Sequence, residues 1–167
     1  MIFALLFVAA TAGEMAPDFS GSNQDGKIVK LSDFHGKPVL VYFYPKDDTP
    51  GCTREACSMR DEYSRFQAHG AVILGISRQD AKSHTEFKKK YSLPFDLIVD
   101  NDGSIAKAFG VGTMPVIGLI KRNSVLIGSD GKIVKFYSDV DPDKHAHEVL
   151  TDLDKMAPPA ATVPAKK

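Results

Sequence analysis

The chain has 167 residues, and 43% of them are hydrophobic. This length is enough for one well-buried core but too short for two ordinary domains. Its 21 basic and 21 acidic residues cancel to a net charge of zero. This balance disfavours nucleic acid, an anionic membrane or a strongly charged substrate as the partner, and it favours a small neutral molecule.

The chain begins with an apolar leader, residues 1–12, which carries no charged side chain and ends in Ala10-Thr11-Ala12. That ending has the small-x-small form of a signal-peptidase site, but no basic residues precede the apolar stretch. The stretch is too short to span a bilayer, so no stable membrane insertion is expected. Export to the periplasm and a cytoplasmic location both fit this pattern, since a buried strand or a mis-set start codon would look the same.

From residue 39 onward the apolar pattern alternates between strands and helices. The run 39–44 is continuously β-favouring, as in a strand buried on both faces of a parallel sheet, and Pro45 ends it. Apolar residues then recur every three or four positions from residue 50 to about 69, which is the spacing of a helix packed on that sheet. The next predicted elements are a strand at 71–76, a helix at 80–91, a strand at 97–99 and a short helix at 105–109.

The later part of the chain predicts a hairpin instead of alternating strands and helices. Two strands around a turn at Ser129-Asp130-Gly131 are predicted for 116–137, and a closing helix for 143–156. Parallel strands followed by a hairpin predict an α/β fold, a thioredoxin-like sandwich with a mixed central sheet and helices on both faces. Composition and period alone also admit a small doubly wound fold. The domain is predicted to span 13–156, and a Pro/Ala-rich tail at 157–167 is predicted to be disordered.

The two cysteines of the chain lie close together, at positions 52 and 57. Thr49 followed by Pro50 has the form of an N-cap with proline at the first helical position, which places Cys52 in the first turn of a helix. Free backbone N–H groups and the positive end of the helix dipole stabilise a thiolate there. Cys52 is therefore a candidate nucleophile.

Cys57 lies five residues further along the same predicted helix. An ideal helix separates two such Cα atoms by about 8.5 Å, beyond the limit of roughly 7 Å for a disulfide without backbone movement. A bridge between them would require local unwinding, which fits a redox cycle better than a permanent staple. The spacing alone leaves a plain core role for the cysteines open, and C-x4-C supplies only two of the ligands of a tetrahedral metal site.

Other charged and titratable residues are interpreted as surface groups. Arg54, Arg60 and Arg65 are read as solvated charges on the helix that carries the cysteines. The same interpretation is given to the scattered histidines, which are His35, His69, His84, His145 and His147.

The segment Pro45-x-x-x-Thr49-x-x-Cys52 resembles the active-site signature of the peroxiredoxins. The fuller string from Tyr44 to Thr53, together with Cys57, resembles their Q-type group, also called bacterioferritin comigratory proteins. The resemblance continues at Ala16-Pro17-Asp18-Phe19, Gly75-Ile76-Ser77, Tyr91-x-Leu93-Pro94-Phe95 and Asp130-Gly131-Lys132-Ile133. Only the leader and the tail lie outside it.

This resemblance implies a thiol-specific peroxidase that reduces hydrogen peroxide and organic hydroperoxides, with a role in redox homeostasis and oxidative-stress defence. Cys52 would be the peroxidatic thiol and Cys57 the intramolecular resolving thiol, and thioredoxin or a glutaredoxin-like protein would supply the electrons. No haem, flavin or metal cofactor is implied, because the thiolate itself attacks the O–O bond. A resolving cysteine in the same helix is compatible with a monomer.

Three further positions gain roles from the resemblance. Pro45 would shield the thiol and fix the loop, and the hydroxyl of Thr49 would hydrogen-bond to the peroxide or the thiolate. Arg122 matches the arginine that the family supplies from a later strand, and it would stabilise the thiolate and polarise the peroxide. The segment 111–118, before this arginine, departs from the family's usual sequence.

Two functions of other classes remain as alternatives. A protein-disulfide oxidoreductase of the thioredoxin fold would predict a C-x-x-C pair, and the observed C-x4-C counts against it. A thioredoxin-fold binding or chaperone module would leave both cysteines idle.

Overall fold

The computed structural model describes residues 10–156. The strands are β1 (Ser20–Ser22), β2 (Ile28–Lys30), β3 (Val39–Phe43), β4 (Val72–Ser77), β5 (Asp96–Val99), β6 (Asn123–Ile127) and β7 (Ile133–Tyr137). The α-helices are α1 (Pro50–Asp61), α2 (Tyr63–Ala68), α3 (Ala81–Tyr91), α4 (Ser104–Ala108) and α5 (His145–Met156), and a 3-10 helix covers Leu31–Phe34.

A five-stranded mixed sheet, in the order β5-β4-β3-β6-β7, forms the centre of the molecule. Strands β3, β4 and β5 are parallel, whereas β6 runs antiparallel to both of its neighbours, β3 and β7. A separate two-stranded ribbon, β1-β2, precedes them. The order of parallel strands first and a hairpin later matches the prediction.

Both faces of the sheet are covered, and alternate residues of β3 point into two different core layers. Leu40 and Tyr42 face a layer built with α1, α2, α3 and α5. Val41 and Phe43 face a second layer built with α4 and β2. This double coverage explains why all five residues of β3 are buried and why its sequence is continuously apolar.

Two predicted elements are wrong in extent. The segment 116–122 was expected to be strand, but Val116 has a φ of 72° and the chain turns back on itself there. The N–H of Met114 donates to the carbonyl of Leu119 (2.7 Å), and the N–H of Gly118 donates to the carbonyl of Met114 (3.1 Å). Pro115 and Gly118 supply the turn chemistry that outweighs the apolar pattern.

The helix expected from 50 to about 69 is divided into α1 and α2 at Glu62, whose ψ of 7° departs from helical geometry. The two parts bury different side chains: α1 buries Cys52, Ala56 and Met59 among others, and α2 buries Phe66. Both cysteines therefore lie on one short helix of 12 residues.

The predicted leader lies outside the described residues except for positions 10–12, and the predicted tail lies wholly outside them. The N–H of Ala10 donates to the carbonyl of Phe109 at 3.3 Å, so the described part of the leader contacts the domain. Among residues 10–156, no helix is both long and apolar enough to cross a membrane.

Candidate active site

Cys52 lies in the first turn of α1, at the point where the sequence predicts it. Thr49 is the N-cap residue, with extended backbone angles, and Pro50 and Gly51 follow as the first two helical residues. The sulfur is almost completely buried, with 1% of the residue exposed. The backbone N–H groups of a first turn have no partner within their own helix, and together with the helix dipole they favour an anion at this position.

Arg122 lies directly beside this sulfur. Its Nη2 donates to Cys52 Sγ at 3.3 Å. The register of the sheet explains the approach, since Asn123 pairs with Phe43 at the end of β3 and so brings Arg122 to the loop that leads into α1. The expected proximity of Arg122 and Cys52 is therefore present.

Glu55 is a member of the site that the sequence analysis missed. The other end of the same guanidinium, Nη1, donates to Glu55 Oε2 at 2.5 Å. Burial of this fully enclosed carboxyl raises its pKa to about 7, although Arg122 opposes the shift. Its second oxygen, Oε1, has no hydrogen-bond partner among residues 10–156. The feature of the sequence that could have identified Glu55 is its position three residues after Cys52, on the same face of the helix.

Gly51 leaves the space that Arg122 occupies. A Cβ atom at this position would lie 3.0 Å from Arg122 Nη2 and 3.8 Å from Pro142 Cγ. The first distance is shorter than ordinary van der Waals contact, so a side chain here would displace the guanidinium. Glycine at position 51 thus allows the cation to lie over the start of α1.

Thr49 occupies the cap position, but its side chain does not cap the helix. Instead the hydroxyl donates to the carbonyl of Lys46 at 2.9 Å, which closes the loop on itself. Because the hydroxyl proton is used in this bond, the oxygen's lone pairs remain to accept a hydrogen bond from a bound molecule. Pro45 is half-buried at the start of the same loop.

Cys57 is half-buried on α1, and both cysteines are free thiols. The predicted five-residue spacing within one helix is therefore present in this dithiol form. Of the neighbouring arginines, Arg54 and Arg65 form exposed ion pairs with Asp143 and Glu62. Arg60 differs from the expectation of a solvated charge, because its Nη1 donates to the carbonyl of Tyr91 at 2.7 Å.

The interpretation of all histidines as surface residues is wrong for His84 and His145, both of which are fully buried. His145 Nε2 lies 2.8 Å from the hydroxyl of Ser124, and burial lowers its pKa to about 4. His84 lies on α3, and its Nδ1 is 2.6 Å from Asp47 in the loop that carries Thr49. The apolar pattern of a helix does not distinguish a histidine that finds internal partners from one that faces solvent.

The chain is similar to known proteins along most of its length. Residues 12–136 match the model of the AhpC/TSA family. Chloroplastic peroxiredoxin Q from Oryza sativa subsp. japonica is 44% identical over 150 residues, which cover 86% of this chain and 67% of that protein. The peroxiredoxin bcp of Coxiella burnetii is 42% identical over 144 residues, covering 83% of this chain and 95% of that protein.

Solved structures agree with these relatives. Peroxidoxin BcpB from Mycobacterium tuberculosis superposes with a TM-score of 0.82 at 31% identity, over 88% of this chain and 98% of that chain. The bacterioferritin comigratory protein of Xanthomonas campestris, described for its alkyl peroxide reduction activity, gives 0.80 at 32% identity, over 87% and 98%. These likenesses confirm the predicted thioredoxin-like α/β fold and the family resemblance.

Proposed function

Because the chain belongs to the AhpC/TSA family and is a thiol peroxidase of the peroxiredoxin Q type, we propose that Cys52 is its peroxidatic nucleophile and Cys57 its resolving thiol. The observation that carries this proposal is the Arg122 guanidinium, 3.3 Å from the Cys52 sulfur in the first turn of α1. The cation and the helix terminus both favour the thiolate, which is the form that attacks a peroxide.

The first half of the reaction converts Cys52 to a sulfenic acid. The thiolate attacks the terminal oxygen of a hydroperoxide, an S–O bond forms and the O–O bond breaks. The alkoxide or hydroxide that leaves takes up a proton and departs as an alcohol or as water. Arg122 stabilises the negative charge that moves from sulfur to the leaving oxygen, because its Nη2 already points at the reacting atom.

Thr49 and Pro45 assist the attack on the peroxide in this proposal, each in a different way. The Thr49 oxygen accepts a hydrogen bond from the peroxide O–H, since its own proton is held by the carbonyl of Lys46. Pro45, half-buried at the start of the loop, shields the thiolate from water. Neither residue takes part in bond breaking.

Cys57 resolves the sulfenic acid in the second half of the reaction. Its thiolate attacks Cys52 sulfur, a disulfide forms, and the sulfenic oxygen leaves as water after taking up a proton. Since both residues lie on α1 and an ideal helix separates them by about 8.5 Å, α1 must unwind between them. A dithiol protein, thioredoxin or a glutaredoxin-like protein, then reduces the disulfide, and one chain suffices for the cycle.

Stopped-flow mixing of the reduced protein with hydrogen peroxide tests the two assignments. Cys52→Ser should abolish rapid peroxide consumption. Cys57→Ser should consume one equivalent and then lose turnover with thioredoxin, because its sulfenic acid has no internal thiol to meet. Rapid consumption by Cys52→Ser would overturn the nucleophile, and full turnover by Cys57→Ser would overturn the resolving thiol.

A further inference from the structure

Asp47 is a buried acid in the middle of the active-site loop, which we define as residues 45–49. Only 7% of the residue is exposed. Its Oδ1 accepts from the hydroxyl of Tyr44 at 2.6 Å, and its Oδ2 accepts from the hydroxyl of Ser83 at 2.7 Å. The same Oδ2 lies 2.6 Å from Nδ1 of His84. The peroxidase chemistry described above does not use any of these contacts.

Both ring nitrogens of His84 have hydrogen-bond partners. His84 is fully buried, and its Nε2 lies 3.1 Å from the carbonyl oxygen of Ile98, which can only accept. Nε2 therefore carries a hydrogen. The contact between Nδ1 and Asp47 Oδ2, at 2.6 Å, is then a hydrogen bond that holds a second hydrogen between the two groups.

The backbone of the loop is held at the same point. The N–H of Asp47 donates to Gln79 Oε1 at 3.1 Å, and the hydroxyl of Ser77 donates to that same oxygen at 2.7 Å. Ser77 is the last residue of β4 and Gln79 lies just before α3. The side chain of Asp47 is thus fixed to α3, and its backbone N–H is fixed to the connection between the sheet and α3.

The far end of α3 holds the exposed side of the loop. Asp48, which has a φ of 56°, accepts from Lys90 Nζ at 2.7 Å and from the hydroxyl of Tyr91 at 2.7 Å. Exposed ion pairs of this kind contribute little on their own. The buried contacts of Asp47, which include its pair with His84, therefore hold the loop more firmly than the exposed contacts of Asp48.

We propose that the Asp47–His84 pair is a positioning element for the peroxidase reaction, which keeps the active-site loop attached to α3 throughout the catalytic cycle. The inference rests on the proposed function, because it concerns the loop that presents Thr49 to the peroxide. Thr49 follows Asp47 by two residues, and α1 starts directly after it. The loop is then the fixed part of the site, and α1 is the part that moves.

The consequence for the reaction is one of orientation. A loop that is free to shift would present the Thr49 oxygen and the first turn of α1 to the peroxide in many arrangements, and small misplacements of reacting groups are costly in rate. Anchoring by Asp47 and His84 should therefore matter most for the attack on peroxide. It should matter much less for the later capture by Cys57, which depends on the unwinding of α1.

His84→Gln tests the proposal, with His147→Gln, the same change at an exposed position of α5, as the matched control. Near-UV circular dichroism establishes that each variant is folded. Stopped-flow should show that the second-order rate constant for hydrogen peroxide falls about tenfold or more in His84→Gln. The first-order rate of disulfide formation should stay within about twofold, and the control should match the wild type in both.

A folded His84→Gln protein that reacts with peroxide at the wild-type rate would overturn the proposal. If Cys52→Ser is inactive in the same assay, the proposed function still stands. Should His84→Gln fail to fold, Asp47→Asn replaces the carboxylate that pairs with His84 by an amide of the same size. A several-fold slower attack in Asp47→Asn supports the positioning role, and a wild-type rate contradicts it.

Proton NMR of the wild-type protein supplies a second test, in which the variants serve only to assign a signal. The hydrogen in the bond between His84 Nδ1 and Asp47 Oδ2 should give a strongly downfield imidazole signal, which His84→Gln assigns by its absence and His147→Gln by its persistence. The signal should remain after one equivalent of peroxide has converted the protein to the disulfide. Its disappearance on oxidation would show that the loop does not stay anchored.

Discussion

At the scale of single residues, the electrostatics of the site depend on one guanidinium shared by two acidic groups. Arg122 donates to the sulfur of Cys52 and to the carboxyl of Glu55. Burial alone would lower the pKa of Arg122, but Glu55 and Cys52 raise it above its ordinary value. One cation thus faces two potential anions. When Glu55 is protonated, the charge of Arg122 is available to stabilise the Cys52 thiolate alone.

The buried carboxyl of Glu55 predicts a specific pH dependence of stability. Its pKa is raised from 4.5 to about 7 in the folded protein, so its stabilising contribution is fully present below pH 4.5 and is lost as the pH rises through 7. That loss amounts to at most about 3 kcal/mol. Glu55→Gln cannot ionise, and its free energy of unfolding should therefore fall less between pH 5 and pH 7.5.

Urea unfolding at the two pH values, at constant ionic strength, measures this difference. Both proteins should carry Cys52→Ser, which removes ionisation of the thiol from the comparison. His145, whose pKa is lowered to about 4, contributes stability that rises with pH up to about 6.5, but it does so equally in both proteins. Unfolding free energies that change in parallel with pH would contradict the assignment.

Gly51→Ala should slow the reaction without harming the fold. A Cβ at this position would lie 3.0 Å from Arg122 Nη2, so the guanidinium must give way by a few tenths of an ångström, which disturbs its contact with Cys52. Alanine also favours helix over glycine, and stability should not fall. The second-order rate constant for hydrogen peroxide should drop about tenfold in stopped-flow.

Gly112→Ala is the matched control, because a Cβ there meets only the Lys121 side chain, at 3.9 Å or more. It should react at the wild-type rate. An unchanged rate in Gly51→Ala would mean that Arg122 has room to keep its contact with the thiolate.

The residues of the site differ in how far the sequence could identify them. Cys52, Thr49 and Pro45 lie in one contiguous motif, and Arg122 was predicted from the family resemblance alone. Glu55 and His84 were missed because burial of a charged or titratable group depends on partners that are distant in sequence. Glu55 requires Arg122, 67 positions away, and His84 requires Asp47, 37 positions away.

At the scale of elements, α1 combines a reactive cysteine with a length that permits opening. The helix has 12 residues and ends at Asp61, and Glu62, whose ψ of 7° is not helical, separates it from α2. Isolated helices of this length are marginal in water, so tertiary contacts supply most of its stability. Loss of the turns between Cys52 and Cys57 therefore need not disturb α2.

Amide hydrogen exchange should detect this opening. In the disulfide form, the amides from Thr53 to Cys57 should exchange about 100-fold faster than in the dithiol form, while those of β3 and α5 should not change. Cys57→Ser treated with one equivalent of peroxide is the control and should keep its protection. Full protection of 53–57 in a protein shown to contain the disulfide would mean that the bridge forms without unwinding.

Prediction of the elements succeeded where the pattern reflects two-sided burial. The run 39–44 and the strand expected at 71–76 correspond to β3 and β4 because the sheet is covered on both faces. It failed at 116–122, where apolar residues lie in a turn and Ile117 is 67% exposed. Apolar composition alone does not separate a buried strand from an exposed turn.

At the scale of the whole molecule, the topology brings the site together from distant parts of the chain. The end of β3, the loop that follows it and the start of β6 meet at one end of these inner strands. The mixed sheet and the α/β class could be predicted from the sequence, because they follow from the order of apolar runs. The β1-β2 ribbon could not be predicted, because each strand has only three residues and two of the three residues of β2 are exposed.

The central claim is that one helix carries both the nucleophile and the thiol that resolves it. Peptide mass spectrometry of the unreduced protein, after one equivalent of hydrogen peroxide, tests this most directly. Arg54 lies between the cysteines, so trypsin separates them into the peptides 47–54 and 55–60. A disulfide between Cys52 and Cys57 would hold these two peptides together at about 2 Da below the sum of the dithiol peptides.

We predict that this cross-linked species appears in protein that still runs as a single chain on a non-reducing gel, and that its rate of formation does not depend on protein concentration. Separate 47–54 and 55–60 peptides, with Cys52 joined instead to a second chain or oxidised without a partner, would contradict the account.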